Sequence, residues 1–466
     1  MSLKDALPIS FSPDVTSAMG LPSSGSVNLR ELTASTPYCY WSGLAAPVSN
    51  KADSLQNYIY SFSGTLFSPP GTNFYKAVTV SGDGSTMAAL ASGSTGNTVV
   101  IFNRSGNTWV QSASFQWPSN DPSGSPSTSF GFPMALNADG THLAISDLSG
   151  KAIWVYTYNG TSWSSNTPLV AGTPTPPMFG NRLAISADGN TVATAWSDAN
   201  NPTNIYVLVA TFSGGALNFV TNINVSSFLG ASTTDTAEFS VAISSDGNTI
   251  AAGLNYGSAY PVSGVGIFRK TGSTWASYSS TFIGGALPAA ETDGLNLIGF
   301  GSSVSLNADG TKVLIGADQS TDSSGTIIGQ AFTFTSPNST SLSWTFEQSF
   351  LPPGPYTYNT TYGYGVAIGA CVRLSKDGNV AAILAGNTYA NTPTIWVYSK
   401  SGGSWSLKTT ISPPVTMTYG DEGASGGDFI INMFDMSMDG KILAYLPANG
   451  GVPGSTPVTT AVQLYY

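Results

Sequence analysis

Val78-Thr-Val-Ser-Gly-Asp-Gly84 recurs six more times along the chain. The other copies are Met134-Ala-Leu-Asn-Ala-Asp-Gly140, Leu183-Ala-Ile-Ser-Ala-Asp-Gly189, Val241-Ala-Ile-Ser-Ser-Asp-Gly247, Val304-Ser-Leu-Asn-Ala-Asp-Gly310, Val372-Arg-Leu-Ser-Lys-Asp-Gly378 and Phe434-Asp-Met-Ser-Met-Asp-Gly440. Each places an apolar residue, a spacer and a second apolar residue before Ser or Asn, a free position and Asp-Gly. Apolar alternation is the signature of a half-buried strand, and Asp-Gly directly after it marks a tight hairpin.

Working outward, a second strand rich in small residues follows each Asp-Gly, as in Met87-Ala-Ala-Leu90 and Val380-Ala-Ala-Ile383. A connection of variable length leads to a third strand, such as Val99-Val-Ile-Phe102 or Ile395-Trp-Val-Tyr398. A short Gly-containing turn then precedes a fourth strand, opened by Trp109, Trp163, Phe219, Trp275, Trp344 or Trp405. Only six fourth strands follow seven phrases. The unused strand-like stretch is Tyr58-Ile-Tyr-Ser-Phe-Ser-Gly-Thr-Leu-Phe-Ser-Pro-Pro70, whose tail matches Trp405-Ser-Leu-Lys-Thr-Thr-Ile-Ser-Pro-Pro414. Successive Asp-Gly spacings of 56, 49, 58, 63, 68 and 62 residues suit four-stranded blades. The expected fold is therefore all-β: a seven-bladed β-propeller of four-stranded antiparallel blades over residues 57–466. An N-terminal strand completes the last blade and hides both sheet edges. Residues 1–56 depart from the repeat and are expected to form a short irregular segment that docks on another surface.

Composition bounds the function. Only 9% of residues are charged, against about 25% in ordinary soluble proteins, and Ser, Thr, Asn and Gly fill the surface instead. With 15 basic and 25 acidic residues the net charge is −10, which excludes nucleic acid and anionic membrane as partners. No apolar run is long enough to insert in a bilayer. Two cysteines, Cys39 and Cys371, are too few for a thiolate metal site. Cys371 borders a core position of the sixth phrase and is read as a buried thiol, a bridge to Cys39 being left open. The first ten residues hold no apolar h-region of a secretory signal. An extracellular style of composition without an export signal is reconciled by a virus particle assembled in a cytoplasm.

Chemistry-bearing residues mostly resolve into structure. Asp83, Asp139, Asp188, Asp246, Asp309, Asp377 and Asp439 are turn residues, with Gly taking positive φ. The sole histidine, His142, occupies a hairpin-adjacent slot read as solvated, so neither a Ser-His-Asp triad nor a histidine metal site is expected. Asp318 and Asp322 share a Gly-flanked loop faintly like a calcium loop, without the spacing of an EF-hand, and no cofactor is expected. The Asp-Gly and third-to-fourth turns share one face of the disc, and all length variation falls on the other. Trp117, Tyr256, Tyr260, Tyr356, Tyr358, Tyr362, Tyr364 and Tyr389 crowd that variable face. They are candidate ligand-binding residues, suited to stacking on sugars or docking a protein, or else packing for the loops themselves.

The repeats resemble those of FG-GAP-like and related bacterial propellers, in which Ser-x-Asp-Gly-Asn-Thr-x-Ala recurs, and this resemblance over residues 57–466 implies fold alone. The sialidase Asp box separates Asp from Gly, and the Gly-His and Trp-Asp pairing of WD40 repeats is missing. The stretch Leu7-Pro-Ile-Ser-Phe-Ser, Gly20 and Gly25-Ser-Val-Asn-Leu-Arg-Glu-Leu32 resembles a short leader on tailed-phage structural proteins, departing from it at Pro13. That resemblance implies a non-enzymatic virion protein of a tail fibre, spike or capsid surface. Residues 1–56 would dock to other virion proteins, and the propeller face would bind a host-surface glycan or a neighbouring subunit. A homo-oligomer within the particle, formed through the leader or the disc faces, is expected. A carbohydrate-active or lactonase-like enzyme with its site on the variable face is the alternative, and purely architectural decoration or connection is a further one.

Overall fold

A computed structural model describes residues 62–465 outside the segments 68–71, 94–95, 117, 119–129, 148–150, 173–178, 199, 202–203, 226–237, 256–263, 284–298, 322–327, 342, 352–367, 386–393, 412–433 and 447–460. Its described residues form strands and turns, with no helix among them.

The first described strand, β1 (Phe62–Phe67), belongs to the last blade. Blade 1 is β2 (Thr72–Val80), β3 (Thr86–Gly93), β4 (Gly96–Ser105) and β5 (Thr108–Gln116), each antiparallel to the next. Blade 2 runs β6 (Phe130–Leu136), β7 (His142–Asp147) and β8 (Ala152–Tyr158), and two short pieces, β9 (Trp163–Ser164) and β10 (Leu169–Val170), share its outer place. Blade 3 is β11 (Leu183–Ile185), β12 (Thr191–Ser197), β13 (Ile205–Ser213) and β14 (Ala216–Asn224). Blades 4, 5 and 6 repeat the plan with β15 to β18 (238–283), β19 to β22 (300–350) and β23 to β26 (368–411). Blade 7 is β27 (Phe434–Met436), β28 (Leu443–Tyr445), β29 (Ala461–Tyr465) and then β1. The seven blades and the closure read from the sequence are thus both present. Leu66 of β1 pairs with Val462 and packs into the core that blade 7 shares with blade 1.

The first strands touch one another in cyclic order and form the inner ring. Their alternation sets the core. In Val372-Arg-Leu374 the two flanking residues are buried between blades, while the spacer Arg373 is only partly covered. Small residues on the second strands, such as Ala88, Ala89, Ala251 and Ala381, are fully buried where neighbouring sheets press face to face. Cores of this kind fill the seams between adjacent blades.

The hairpin after each phrase is wider than a two-residue turn. In blade 1 the last ladder bond is Ser81 N–H to the Thr86 carbonyl (2.8 Å), and the Gly84 amide closes an inner turn onto the Ser81 carbonyl (2.9 Å). The reason is the Ser side chain. Ser81 Oγ donates to Asp83 Oδ1 (2.6 Å) and accepts the Thr86 amide (2.9 Å), while Asp83 Oδ1 also accepts the Ser85 amide (2.9 Å). Asn137 does the same work in blade 2, its Nδ2 donating to Asp139 (2.9 Å) and its Oδ1 accepting the His142 amide (2.9 Å). The position needs a donor and an acceptor on a short side chain, which is why only Ser and Asn occupy it. Gly84 has φ 69°, and its six counterparts lie between 67° and 76°.

Candidate functional site

The free position of the phrase is the inner rim of the disc. Its backbone amides donate from blade to blade: Ala138 to the Ala187 carbonyl (3.1 Å), Ala187 to Ser245 (3.0 Å), Ser245 to Ala308 (2.9 Å), Ala308 to Lys376 (2.9 Å), Lys376 to Met438 (2.6 Å) and Met438 to Gly82 (2.8 Å). Asp83 N–H to Ala138 O (2.7 Å) and Gly82 N–H to Asn137 O (3.3 Å) complete the circle. Across the channel, Ser245 Oγ lies 3.9 Å from Met438 Sδ, so the Met438 side chain spans from blade 7 towards blade 4. A Cβ on Gly82 would lie 2.6 Å from that sulfur, which explains glycine in this one copy. On its Asp-Gly side the channel is ringed by backbone and crossed by a thioether.

Above the rim the spacers meet the neighbouring blades. Ala135 and Ala242 pack against the apolar cores between blades 2 and 3 and between blades 4 and 5, whereas Ser305, Arg373, Asp435 and Thr79 make polar contacts across their seams. Arg373 Nε donates to Asp435 Oδ1 (2.7 Å), Asp435 Oδ2 accepts Thr79 Oγ1 (3.0 Å) and the Val80 amide (2.9 Å), and Thr79 Oγ1 accepts the Leu136 amide (3.2 Å). Blades 6, 7, 1 and 2 are thereby laced together. Ser305 Oγ accepts the Leu374 amide (3.0 Å) and Ser303 Oγ the Val372 amide (3.1 Å), extending the lacing to blade 5. Arg182 donates to the Phe239 carbonyl between blades 3 and 4, and Ser240 Oγ to the Gly301 carbonyl (2.7 Å) between blades 4 and 5. The Arg373–Asp435 pair is shielded, with side-chain exposures of 22% and 16%. Beneath it Cys371 carries a fully buried thiol that burial pushes up to about 11, against the pull of the Arg373 guanidinium 3.3 Å away. Such a thiol is protonated and unreactive at neutral pH. Cys39 lies outside the described residues.

The charged members of this belt, Arg373 and Asp435, sit at the position that the apolar alternation marks only as a spacer. A signal was there: five spacers are Ala, Ser or Thr, while the two charged ones have opposite sign and fall in adjacent phrases.

His142 stands elsewhere than expected. It is half-buried in the seam between blades 2 and 3. A Cβ on Gly189 would lie 2.4 Å from its Cγ, and its ring meets Phe212 edge-on at 5.7 Å. Thr141 Oγ1 donates to Asp139 (2.6 Å) and lies 2.9 Å from His142 Nδ1, which assigns the proton to Nδ1. Burial lowers its pKa below the usual histidine value, Asp139 and Asp188 pulling the other way. The slot is a seam position, shared with Thr86, Thr249 and Lys312. Lys312 crosses its seam to the Gly378 carbonyl (2.9 Å) and pairs with Glu347 (3.3 Å), which also binds Lys400 and accepts from Trp405 Nε1 (3.2 Å).

One open groove lies at the outer end of the seam between blades 2 and 3. Pro168, which has no N–H, and Asn166 interrupt the outer strand of blade 2, leaving β9 and β10 in place of the six to ten residues found in other blades. Asn166 Oδ1 takes the Val155 amide instead (2.8 Å). The resulting groove of about 270 Å³ is lined by Leu169, Val170, Phe179, Trp196, Phe219 and Asn222, among others. Trp196 stacks on Tyr206 (centroids 4.8 Å apart, 22° between planes), and its Nε1 donates to Asn222 Oδ1 (3.1 Å). Both belong near the second-to-third-strand connection, on the side of the variable loops.

Phe219 also departs from expectation. Leu217, not Phe219, holds the place of Trp109: each sits one pair beyond the hairpin end, opposite Phe212 and Arg104. Leu217 is buried and Phe219 is 53% exposed. The aromatic alignment slipped by two residues because blade 3 places Leu where other blades place Trp.

Of the loop aromatics, Trp117, Tyr256, Tyr260, Tyr356, Tyr358, Tyr362, Tyr364 and Tyr389 all lie outside the described residues, as does Asp322. Asp318 is described, half-buried just past β20 (Lys312–Ala317) with its Oδ1 close to Gly299. No group of three or more His, Cys, Asp or Glu suited to a metal ion is present among the described residues.

No family model matches the sequence, and no curated protein matches it. Among solved structures it is similar to the β-propeller domain of Cps50 (Swd1) from Myceliophteria thermophila, at 12% identity and a TM-score of 0.48, covering 86% of this chain and 98% of that one. It is also similar to an oligogalacturonate lyase from Vibrio parahaemolyticus, at 10% identity and a TM-score of 0.49, covering 87% and 92%.

Proposed function

We propose that the chain is a non-enzymatic structural protein of a virus particle, docked through residues 1–56, whose propeller presents a recognition surface on its variable-loop side to a host glycan or a neighbouring subunit. The observation that carries this reading is the difference between the two sides of the disc. One is closed by a backbone ring and Met438 and carries short turns, the nine-residue β21–β22 connection (336–344) being an exception to the uniformity expected there; the other receives the second-to-third-strand and blade-to-blade connections. A rigid frame with variable loops on one side is the usual arrangement of a recognition module. The charge-poor, hydroxyl-rich composition and the phage-like leader support the placement in a particle. Among the described residues the groups nearest to a catalytic type are already engaged: Asp435 is held by Arg373, Thr79 and Val80, and the Cys371 thiol is buried.

Deleting residues 1–56 tests the docking. The truncated chain is expected to fold with an unchanged melting temperature and to be missing from purified particles. Incorporation at the level of the full chain would overturn it.

A further inference from the structure

The groove between blades 2 and 3 contains an aromatic residue that the fold does not use. Leu217 fills the seam position that Trp109 fills in blade 1, and Phe219 two residues later projects into solvent. At the matching site two residues after Trp109, blade 1 carries Gln111, a surface residue. In β14 a bulge leaves Val220 without a partner, so that Phe219 pairs with Ala210, Asn222 with Leu208, and both point to the same face of the sheet. Trp196 stands on that face too, with Tyr206 stacked against it. Val170, 47% exposed, forms the opposite wall from blade 2.

We infer that this groove is a binding subsite for a neutral hexose unit of a glycan. A pyranose offers an apolar C–H face and a rim of hydroxyls, and the groove offers the complement to each. Phe219 and Trp196 supply aromatic surface for the C–H face. Asn222 supplies a planar amide whose Oδ1 is fixed by the Trp196 N–H, which orients its Nδ2 as a donor at the groove edge. Among the described residues no ionisable side chain lines the groove, so none of them would compensate the charge of a uronic or sialic acid. A cavity of about 270 Å³ suits one or two rings rather than a protein segment. The exposure of Phe219 has no packing role to explain it, and the interrupted outer strand that opens the groove follows from Pro168. The inference deepens the recognition reading above and rests on it.

The test uses the full chain against neutral gluco-, galacto- and manno-oligosaccharides, with uronic- and sialic-acid oligosaccharides as the charged set, read by titration calorimetry. Phe219→Ala and Trp196→Phe probe the groove, and the double variant Tyr356→Ala/Tyr358→Ala probes a variable loop. The expected result is binding to a neutral oligosaccharide that Phe219→Ala weakens roughly three- to tenfold, as loss of one stacking contact predicts, at an unchanged melting temperature. Trp196→Phe should weaken it less, and the loop variant should leave it intact. Neutral binding that survives Phe219→Ala, or is lost in the loop variant alone, overturns the groove while leaving glycan recognition standing. Binding only to charged glycans, only to protein, or to nothing overturns the subsite outright. None of these results bears on docking, which the truncation tests separately.

Discussion

At the scale of single residues, the position before the free rim residue decides how each hairpin is built. Ser244 Oγ donates to Asp246 (2.5 Å) and accepts the Thr249 amide (2.9 Å), so one hydroxyl fixes both the turn and the start of the second strand. Ser244→Ala removes both bonds and leaves a buried amide unmet, at a cost of about 1–3 kcal/mol. Ser244→Asn, which copies blades 2 and 5, should recover most of that loss, as shifts in the denaturation midpoint will show. His142 gives a second prediction. Burial disfavours its charged form, so its folded pKa lies below the unfolded value of about 6.5. The unfolded chain therefore binds the proton more readily. The stabilisation is fully present above about pH 6.5 and is lost as pH falls through the folded pKa. As the sole histidine it gives one unambiguous imidazole signal in NMR, and a midpoint at or above 6.5 would contradict the seam placement. The Asp residues of the turns act in the same direction lower down. Partial burial raises the Asp188 and Asp377 carboxyls, but their Ser and Asn donors outweigh it and hold them below the usual value. Their share of stability is present above about pH 4 and lost as pH falls further.

At the scale of strands, blade 7 is assembled from both ends of the described chain. Two features join it to its neighbours. Asp435 of β27 binds Arg373 on one side and Thr79 with Val80 on the other, tying the last blade to both neighbours. Truncating one partner of a shielded ion pair leaves the other charge uncompensated, so Asp435→Ala should cost about 3–5 kcal/mol in chemical denaturation. Leu66 of β1 provides the apolar part, and Leu66→Asp should destabilise the chain by about 2–4 kcal/mol through an uncompensated charge in the shared core. The strands and their closure were legible in the sequence because period-2 apolarity and a missing fourth strand are local patterns that repetition amplifies. Arg373 and Asp435 were not, since a spacer's neighbours across the ring are some 60 and 350 residues away in sequence. The same limit hid the seam around His142. The groove was half visible: Pro168 stood in the sequence as a breaker, but the replacement of Trp by Leu217 shifted the alignment that would have exposed Phe219.

At the scale of the molecule, the phrase that looked like a ring of carboxylates is a ring of amides. The Asp side chains serve the turns, and the position between Ser and Asp joins blade to blade, with Met438 crossing the channel. Seven blades held by backbone bonds around one rim, and shut by a strand from the other end of the chain, form a frame whose two sides differ in what they can vary. The proposed recognition on the variable side depends on that frame being closed. Hydrogen exchange of the intact chain, followed by mass spectrometry, tests the closure most directly. Peptides carrying the β1 amides and the rim amides of Ala138, Ala187, Ser245, Ala308, Lys376 and Met438 should exchange together and last, at the rate of global unfolding. Exchange of β1 well ahead of blades 1 to 6, or of the rim ahead of the second strands, would contradict a ring closed from both ends.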